Sequence, residues 1–330
     1  LQEPKMSVKQ WLKWRENVKE NKLPKVEKSS DFAKIELPPK NEEIIEGILR
    51  VAHVMNIGGP SKAGKSFALI NLGISLATGA HWMHHKCRKS KILHVDLEVE
   101  RPSFIHRVSD VAKAKGLPLS ELGDNHNFVA ARGNDAVDIL KGVEIYLQAD
   151  NYDVLIIDPL FKIDTNAKEN EADSMKMLFR SLNRMAVKYQ CSIIIASHFR
   201  KGTNDDKPSM DKIAGSGVMG RDPDAILTLN PDSKDETKFT LSYDLREFKS
   251  PSNTEVYFNY PIHETTPKGK SSYISVAHTL IQNTGETTLE AIAELYDPND
   301  NIMEDAQKRN NMIKALKSGA FLVSGGKVSS

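Results

Sequence analysis

The chain has 330 residues, of which 39% are hydrophobic, and its formal net charge is +1. This length fits one large α/β domain with extensions, or two domains, and the hydrophobic content is sufficient for a sizeable core. The near-neutral charge provides no global basic field, so any contact with nucleic acid needs a local patch. The only cysteines are Cys87 and Cys191, which argues against a disulfide framework and is typical of a reducing cytoplasm.

Targeting segments are not evident in the sequence. No apolar run approaches the length of a membrane span, and no signal peptide is visible. We therefore expect a cytoplasmic protein with no membrane partner. The sequence starts at Leu1, so the native termini are left undefined.

Residues 1–41 are expected to form a basic arm and linker. Residues 1–40 contain ten lysines and arginines and six acids, which gives a local charge of +4. Ser7 is a candidate N-cap for a helix that extends to about residue 21. This helix would either pack on its own domain or grip a neighbouring subunit. Three prolines between residues 22 and 40 predict a linker.

Residues 59–66 have the sequence GPSKAGKS and match the phosphate-loop pattern GxxxxGK[ST]. The apolar run 51–57 before them predicts a buried strand, and residues 67–78, followed by Gly79, predict a helix. Glycines let backbone N–H groups surround an anion, and the helix N-terminus adds its positive end. The motif therefore predicts ATP and Mg²⁺ as cofactors. The residues predicted to hold the nucleotide are Gly59, Pro60, Ser61, Lys62, Ala63, Gly64, Lys65, Ser66 and Phe67.

Two of these side chains have specific predicted roles. Lys65 is expected to reach the β- and γ-phosphates, and the Ser66 hydroxyl to ligate Mg²⁺. A second group of possible ligands follows in residues 81–90, a basic segment that we expect to be an irregular helix-to-strand connection. Its side chains His81, His84, His85 and Cys87 could suggest a metal site, but nothing in their spacing sets tetrahedral ligation.

Beyond this segment, strands alternate with helices. We predict buried strands at 92–97, 128–131, 154–157 and 192–196, and helices at 102–115, 136–148 and 173–189. This alternation predicts an α/β fold with a mainly parallel sheet and helices on both faces. From residue 225 the predicted strands 225–229, 238–243 and 255–260 follow one another without helices. They predict an antiparallel extension of the sheet.

Carboxylates at strand ends are the candidates for catalysis. Asp158 ends an apolar strand and is predicted to support the metal. The next residue, Pro159, offers no acid, so the base that activates water must come from another strand. Glu98 follows the strand at 92–97 and is the preferred base. Asp96 and Glu100 are its rivals.

Further functional candidates lie later in the chain. His198 is predicted to sense the γ-phosphate, with Ser197 as the alternative. The polar loop at 201–220 is either a grip for a polymer substrate or merely mobile. Arg246 is predicted to complete the site of a neighbouring subunit, and a surface salt bridge is the alternative.

These motifs in this order resemble the RecA-like ATPase core. The resemblance is strongest to RepA-like hexameric replicative helicases of plasmids and phages, and it covers about residues 42–262. The segments that carry this resemblance are Ser61–Phe67, Leu97-Glu98, Asp158-Pro159, Ser197–Gly202, Gly215–Gly217 before Arg221–Ala225, and Leu245-Arg246. Two features depart from the pattern: the terminal extensions, and three acids in the 201–220 loop, which suit DNA poorly.

The resemblance implies a homo-oligomer, a hexameric ring with ATP at subunit interfaces and single-stranded DNA in its channel. It also implies roles at matching positions: Lys65 and Ser66 at phosphate and Mg²⁺, Glu98 as base, Asp158 at the metal, His198 as sensor and Arg246 in trans. Replication proteins are possible partners. A different hypothesis is a regulatory ATPase switch that binds DNA or a protein without unwinding.

The tail, residues 273–330, is predicted to be a small separate module after a RecA-like domain at 42–264. Helical patterns at 288–295, with a cap at Thr287, and at 305–317 precede a strand that turns at Gly325-Gly326. Helix, helix and hairpin resemble a winged helix. The module could bind DNA through its second helix or serve only in packing or protein docking.

Overall fold

The computed structural model describes residues 28–30, 39–134, 136–160, 171–198, 221–265, 276–277, 280–281, 285–296, 302–318 and 321–329. The chain divides into two compact units, Leu1–Lys40 and Asn41–Ser330. Only residues 28–30 and 39–40 of the first unit are described. The predicted helix from Ser7 and the predicted loop at 201–220 lie outside the described residues.

The described part of the second unit contains sixteen strands. They are β1 (Glu43–Ile45), β2 (Leu49–Arg50), β3 (Val54–Gly59), β4 (His81–Trp82), β5 (His85–Lys86), β6 (Ile92–Asp96), β7 (His126–Ala130), β8 (Val154–Asp158), β9 (Ser192–His198), β10 (Ala225–Pro231), β11 (Lys238–Leu245), β12 (Thr254–Asn259), β13 (Ile262–Glu264), β14 (Glu286–Thr288), β15 (Leu322–Ser324) and β16 (Lys327–Ser329).

Six α-helices of eight or more residues lie in the same described part. They are α1 (Lys65–Thr78), α2 (Arg101–Ala114), α3 (Ala136–Ala149), α4 (Glu171–Tyr189), α5 (Leu289–Tyr296) and α6 (Ala306–Ser318). A 3₁₀ segment, Leu119–Asn125, leads into β7. The six helices predicted between residues 67 and 317 therefore agree with the structure to within about two residues at each end.

Nine of the described strands form one sheet in the order β13-β12-β11-β10-β3-β9-β8-β6-β7. Pairing is parallel from β10 through β3 to β7 and antiparallel from β10 to β13. The predicted RecA-like α/β fold with an antiparallel extension is confirmed. The first strand of that extension, β10, joins β3 in parallel, so antiparallel pairing begins between β10 and β11.

Helices cover both faces of this sheet because alternate side chains of each buried strand point to opposite sides. On one face, Met55 and Ile57 of β3 pack with Leu69 and Leu72 of α1. On the other face, β8 and β9 pack against α3 and α4, with Phe179 and Leu182 fully buried. A further cluster joins α1 to α2. The central strands are thus inaccessible along their length, and ligands can reach only their ends.

The segment 81–90 differs from its predicted irregular conformation. β4 and β5 form a short antiparallel hairpin, in which Trp82 lies opposite His85. The Trp82 indole Nε1–H donates to the Ala68 carbonyl at 3.2 Å and is buried against α1. The aromatic side chain and its hydrogen bond fix a turn that charge and polarity alone predict to be irregular.

The tail contains a second, three-stranded sheet in the order β14-β16-β15. Its buried apolar cluster consists of residues between Val276 and Val328, with Ile292, Met312 and Leu316 at 0% exposure. The hairpin between β15 and β16 turns at Gly325 and Gly326, with φ of 57° and 81°, as a two-residue type I′ turn requires. The predicted tail helices and hairpin are present, and their interpretation as a winged helix remains a prediction.

Candidate nucleotide site

The phosphate loop joins the buried end of β3 to the first turn of α1. Gly64, directly before α1, has φ of 70° and ψ of 19°, a left-handed conformation that glycine adopts without strain. Lys62 also has a positive φ, of 67°. These turns bring the loop back over the N-terminus of α1, where free backbone N–H groups and the helix dipole favour an anion.

Lys65 is the buried cation of the loop, with 6% exposure. Its Nζ donates to the carbonyl oxygens of Gly59 at 3.0 Å and Pro60 at 2.6 Å, and lies 3.1 Å from Nδ1 of His198. Burial lowers the pKa of Lys65 to about 8, and the carboxylates of Asp158 and Glu98 oppose this shift. A phosphate would supply the counter-charge that these neutral carbonyl partners lack.

Asp158 and Asp96 lie side by side at the carboxyl ends of β8 and β6, which pair in register at these two residues. Asp158 is 3% exposed and accepts a hydrogen bond from the Ser66 side chain. Burial, together with the nearby carboxylates of Asp96 and Glu98, raises the pKa of Asp158 to about 7. Burial also raises the pKa of Asp96. Because two acids are buried next to each other, a positive charge bound beside them would stabilise their ionised forms.

This arrangement fits a divalent cation. Among the described residues, Oδ2 of Asp158 and Oδ2 of Asp96 are buried without a hydrogen-bond partner. A carboxylate and a hydroxyl, Asp158 and Ser66, are hard oxygen donors of the kind Mg²⁺ prefers, and phosphate oxygens usually complete its ligand set. The described residues contain no group of three or more His, Cys, Asp or Glu side chains that could hold a metal without such a co-ligand.

Glu98 and its two predicted rivals have different surroundings. Asp96 Oδ1 accepts the backbone N–H groups of Glu98 at 2.7 Å and Val99 at 2.8 Å, so this acid caps the turn that follows β6. Glu100 is exposed and forms an ion pair with Arg132 at 3.2 Å. Glu98 is half-buried, and its charge acts on Lys65, Asp158 and His198. Of the three acids, Glu98 is the one whose charge acts on the phosphate-loop lysine, Lys65.

His198 and Ser197 end β9, the strand next to β3. Burial lowers the pKa of His198, and the charge of Lys65 lowers it further, so the ring is neutral at pH 7. Its Nδ1 can then accept a hydrogen bond from the Lys65 ammonium. Ser197 is buried instead, and its hydroxyl donates to Asn56 Oδ1 at 2.9 Å. The structure therefore places His198, rather than Ser197, beside the phosphate loop.

The hairpin of β12 and β13 supports the phosphate loop from outside, a contact that the sequence analysis missed. His263 is buried, with Nε2 3.0 Å from the Ala63 carbonyl oxygen, and burial lowers its pKa to about 4. A Cβ on Gly64 would lie 2.8 Å from His263 Cε1 and 2.9 Å from Phe258 Cε2. Phe67 packs edge-on to Tyr260, with centroids 5.1 Å apart. Phe67 thus has an aromatic packing role beside its predicted contact with nucleotide.

Arg246 lies near the amino end of β3, whereas the phosphate loop follows the carboxyl end of that strand. The end of β11 pairs with the start of β10, and the start of β10 pairs with the start of β3. The six residues of β3 span about 20 Å, and this distance separates Arg246 from the phosphate loop. Arg246 is held by Asp224 at 3.2 Å and by the Arg221 carbonyl at 2.8 Å. The predicted surface ion pair exists, and Arg246 cannot reach the phosphate loop of its own subunit.

The histidines of the β4–β5 hairpin have neighbours other than a metal. His85 Nε2 lies 3.1 Å from the Tyr243 hydroxyl, and the His85 ring is tilted against that of His84, with centroids 3.9 Å apart. Burial lowers the pKa of His85 to about 3 and raises that of the Cys87 thiol to about 12.

No helix in the described part of the chain is both long enough and apolar enough to cross a membrane.

The loop, the buried carboxylate and the strand-end residues define the class as a P-loop ATPase with a RecA-like fold. A family model described as an AAA domain matches residues 19–204, more than half of the chain, and the chain belongs to this family. A search of curated proteins gives no match. Among solved structures, the crystal structure of the RadB recombinase is 16% identical, with a TM-score of 0.48 over 66% of this chain and 92% of that chain.

Proposed function

We propose that this ATPase is a motor that acts on single-stranded DNA, in the manner of RepA-like replicative helicases of mobile elements. The observation that carries the proposal is the convergence of Lys65, Ser66, Asp158, Glu98 and His198 at one edge of the parallel sheet. Carboxyl ends of parallel strands line ligand crevices in such sheets.

Each of these residues has a distinct part in hydrolysis. Lys65 binds the β- and γ-phosphates, while Ser66 and Asp158 would hold Mg²⁺, which would neutralise charge on the phosphates. Glu98 orients the attacking water toward the γ-phosphorus and accepts its proton. His198 loses or keeps its contact with the γ-phosphate and thereby reports hydrolysis to β9. Pro159 explains why the base comes from β6, since the residue after Asp158 carries no acid.

The position of Arg246 supports an oligomer, which we propose to be a hexameric ring. It lies at the sheet edge opposite the phosphate loop, so it can contribute to ATP hydrolysis only in the site of another subunit. Its ion pair with Asp224 at 3.2 Å is half-exposed, so a competing phosphate could replace that partner.

A regulatory switch that uses ATP to control assembly is the second candidate. It is favoured by the tail, whose buried cluster is built from residues 276–328 and could form a docking module. Such a switch would hydrolyse ATP and bind its partner but would displace no DNA strand.

The two candidates are separated by three measurements on the full chain. These are the ATPase rate with and without single-stranded DNA, displacement of a labelled strand from a forked duplex, and the mass of the assembly with ATP. The motor predicts a rate increase with DNA, strand displacement and a closed oligomer. Hydrolysis that is indifferent to DNA, with no displacement, would overturn the motor in favour of the switch.

Lys65→Ala serves as the inactive control in these assays. It removes the phosphate-loop cation and is expected to abolish hydrolysis and weaken nucleotide binding strongly. Lys234→Ala is the matched substitution, because Lys234 is an exposed lysine in the turn between β10 and β11. Normal turnover of Lys65→Ala would contradict the assignment of the site itself.

A further inference from the structure

The second helix of the tail, α6, is rich in cationic residues. Its thirteen residues include Lys308, Arg309, Lys314 and Lys317 and no acid. Among described residues, no ion pair engages Arg309, Lys314 or Lys317. A helix face that carries charge without local neutralisation is suited to an anionic partner.

The side of α6 opposite its buried residues combines lysines with amides. Met312 and Leu316 are fully buried in the tail cluster. The exposed residues at i, i+3, i+4, i+7 and i+10 from Gln307 share the other side of the helix. They are Gln307, Asn310, Asn311, Lys314 and Lys317. Asn and Gln form paired hydrogen bonds with adenine edges, and lysine contacts phosphates or guanine.

The fold around α6 holds it as a rigid unit. Asp305 Oδ1 caps its first turn by accepting the backbone N–H groups of Gln307 at 2.8 Å and Lys308 at 3.1 Å. The three-stranded sheet is tied to α5 by a hydrogen bond from Leu289 N–H to the Gly326 carbonyl at 2.9 Å. The β15–β16 hairpin follows α6 directly, which is the connectivity of a winged helix.

We propose that α6 is a recognition helix that binds the major groove of double-stranded DNA. Its thirteen residues span about 20 Å, and a helix with its side chains is about 10–12 Å across, which fits a groove about 12 Å wide. Exposed acids on α5, Glu290 and Glu294, would repel phosphates. The contact is therefore assigned to α6, with α5 away from the DNA surface.

This inference is independent of the motor proposal, because it concerns duplex DNA and residues far along the chain from the nucleotide site. The duplex-binding tail would position the ATPase on a particular DNA, and the amide side chains would supply sequence preference.

The test uses the full chain and a short fluorescent duplex, with binding measured by anisotropy over a salt series. The double variant Lys314→Gln/Lys317→Gln keeps helix-forming residues at exposed positions. Each phosphate contact contributes about 0.9 to the slope of log affinity against log salt, so the loss of two lowers the slope by about 2. At 0.15 M salt this corresponds to a roughly 30-fold weaker affinity.

Controls separate this surface from general electrostatics. Lys86→Gln/Lys234→Gln removes two exposed lysines elsewhere and should keep the wild-type slope. The ATPase rate and melting temperature of the tail variant should also match the wild type. Duplex RNA should bind weakly, because its deep, narrow major groove does not admit a helix.

An unchanged slope in the tail variant, or an equal loss in the control variant, would overturn the proposal. Equal affinity for duplex RNA would also overturn it. Absence of DNA-stimulated ATPase, in contrast, would count against the motor and leave this test unaffected.

Discussion

Asp158→Asn should make the protein more stable while it removes Mg²⁺-dependent hydrolysis. Asp158 is buried at 3% exposure beside Asp96, and its pKa is raised to about 7 by burial and by neighbouring carboxylates. An asparagine has nearly the same shape, and its amide oxygen can still accept the hydrogen bond from Ser66. The variant therefore removes a buried charge and leaves the packing intact.

The magnitude follows from proton linkage. A group whose pKa is raised in the folded protein contributes stability below its unfolded pKa and loses it as the pH rises through the folded value. For Asp158 that window extends from 3.8 to about 7. The full difference corresponds to about 4 kcal/mol. At pH 8 Asp158→Asn should be more stable than the wild type by up to about 4 kcal/mol, and at pH 5 by only about 1–2 kcal/mol.

The measurement is urea unfolding of both proteins at pH 5 and pH 8 without nucleotide or Mg²⁺. Ser66→Ala is the companion variant, because it removes the hydrogen bond that stabilises the ionised Asp158 and should lower stability at pH 8. A stability gain that is the same at both pH values would refute the linkage argument. A loss of stability in Asp158→Asn would show that the aspartate charge is satisfied in the folded protein.

Three further predictions concern the site. Glu98→Gln should bind ATP normally and hydrolyse it about 10²–10⁴-fold more slowly, as measured by nucleotide titration and phosphate release, because only the proton acceptor is lost. Gly64→Ala should destabilise the protein by about 1–3 kcal/mol and weaken nucleotide binding, since its Cβ would clash with His263 and Phe258. Arg246→Ala subunits mixed with Lys65→Ala subunits should recover ATPase activity that neither has alone, because some interfaces then combine an intact loop with an intact arginine.

Each of these predictions has a matched control. Glu100→Gln makes the same change at an exposed acid and should hydrolyse ATP normally; slower turnover there than in Glu98→Gln would mean that the wrong acid was chosen. Gly133 also has a positive φ, of 84° against 70° at Gly64, and a Cβ there would meet nothing within 4 Å, so Gly133→Ala isolates backbone strain from the clash. Arg132→Ala removes an arginine with a 3.2 Å ion pair and similar exposure to Arg246. Arg132→Ala alone should therefore keep the wild-type ATPase rate, and an equal loss of activity in both arginine variants would mean that the role of Arg246 is not specific.

The sequence predicts most of the parallel sheet and the phosphate loop because their signals are local. Residues 59–66 form a contiguous motif, and β3, β6, β8 and β9 are apolar runs that are buried along most of their length. Strand ends collect at one edge of a parallel sheet, so Glu98, Asp158 and His198 could be grouped from the order of the strands.

Contacts between residues far apart in sequence cannot be predicted from such local signals. His263 and Ala63 are 200 residues apart in sequence, and nothing near either residue indicates that they meet. Whether β10 pairs in parallel or antiparallel depends on the strand beside it, β3, rather than on its own residues. Trp82 was the missed local signal: this large aromatic residue in a basic, histidine-rich segment marks a buried turn at 81–90.

The environment of Asp96 distinguishes this acid from Glu98, the residue that we propose as the base. Sequence alone places Asp96, Glu98 and Glu100 on the same strand end, with any of them near the phosphate. Asp96 is buried and its Oδ1 accepts two backbone N–H groups, including that of Glu98. Asp96 therefore holds the backbone from which Glu98 projects, so Asp96→Asn should disturb hydrolysis through the position of Glu98. Glu98→Gln alters the proposed base itself, whereas Asp96→Asn alters the backbone that supports it. The two variants should therefore differ in nucleotide affinity as well as in the rate of hydrolysis.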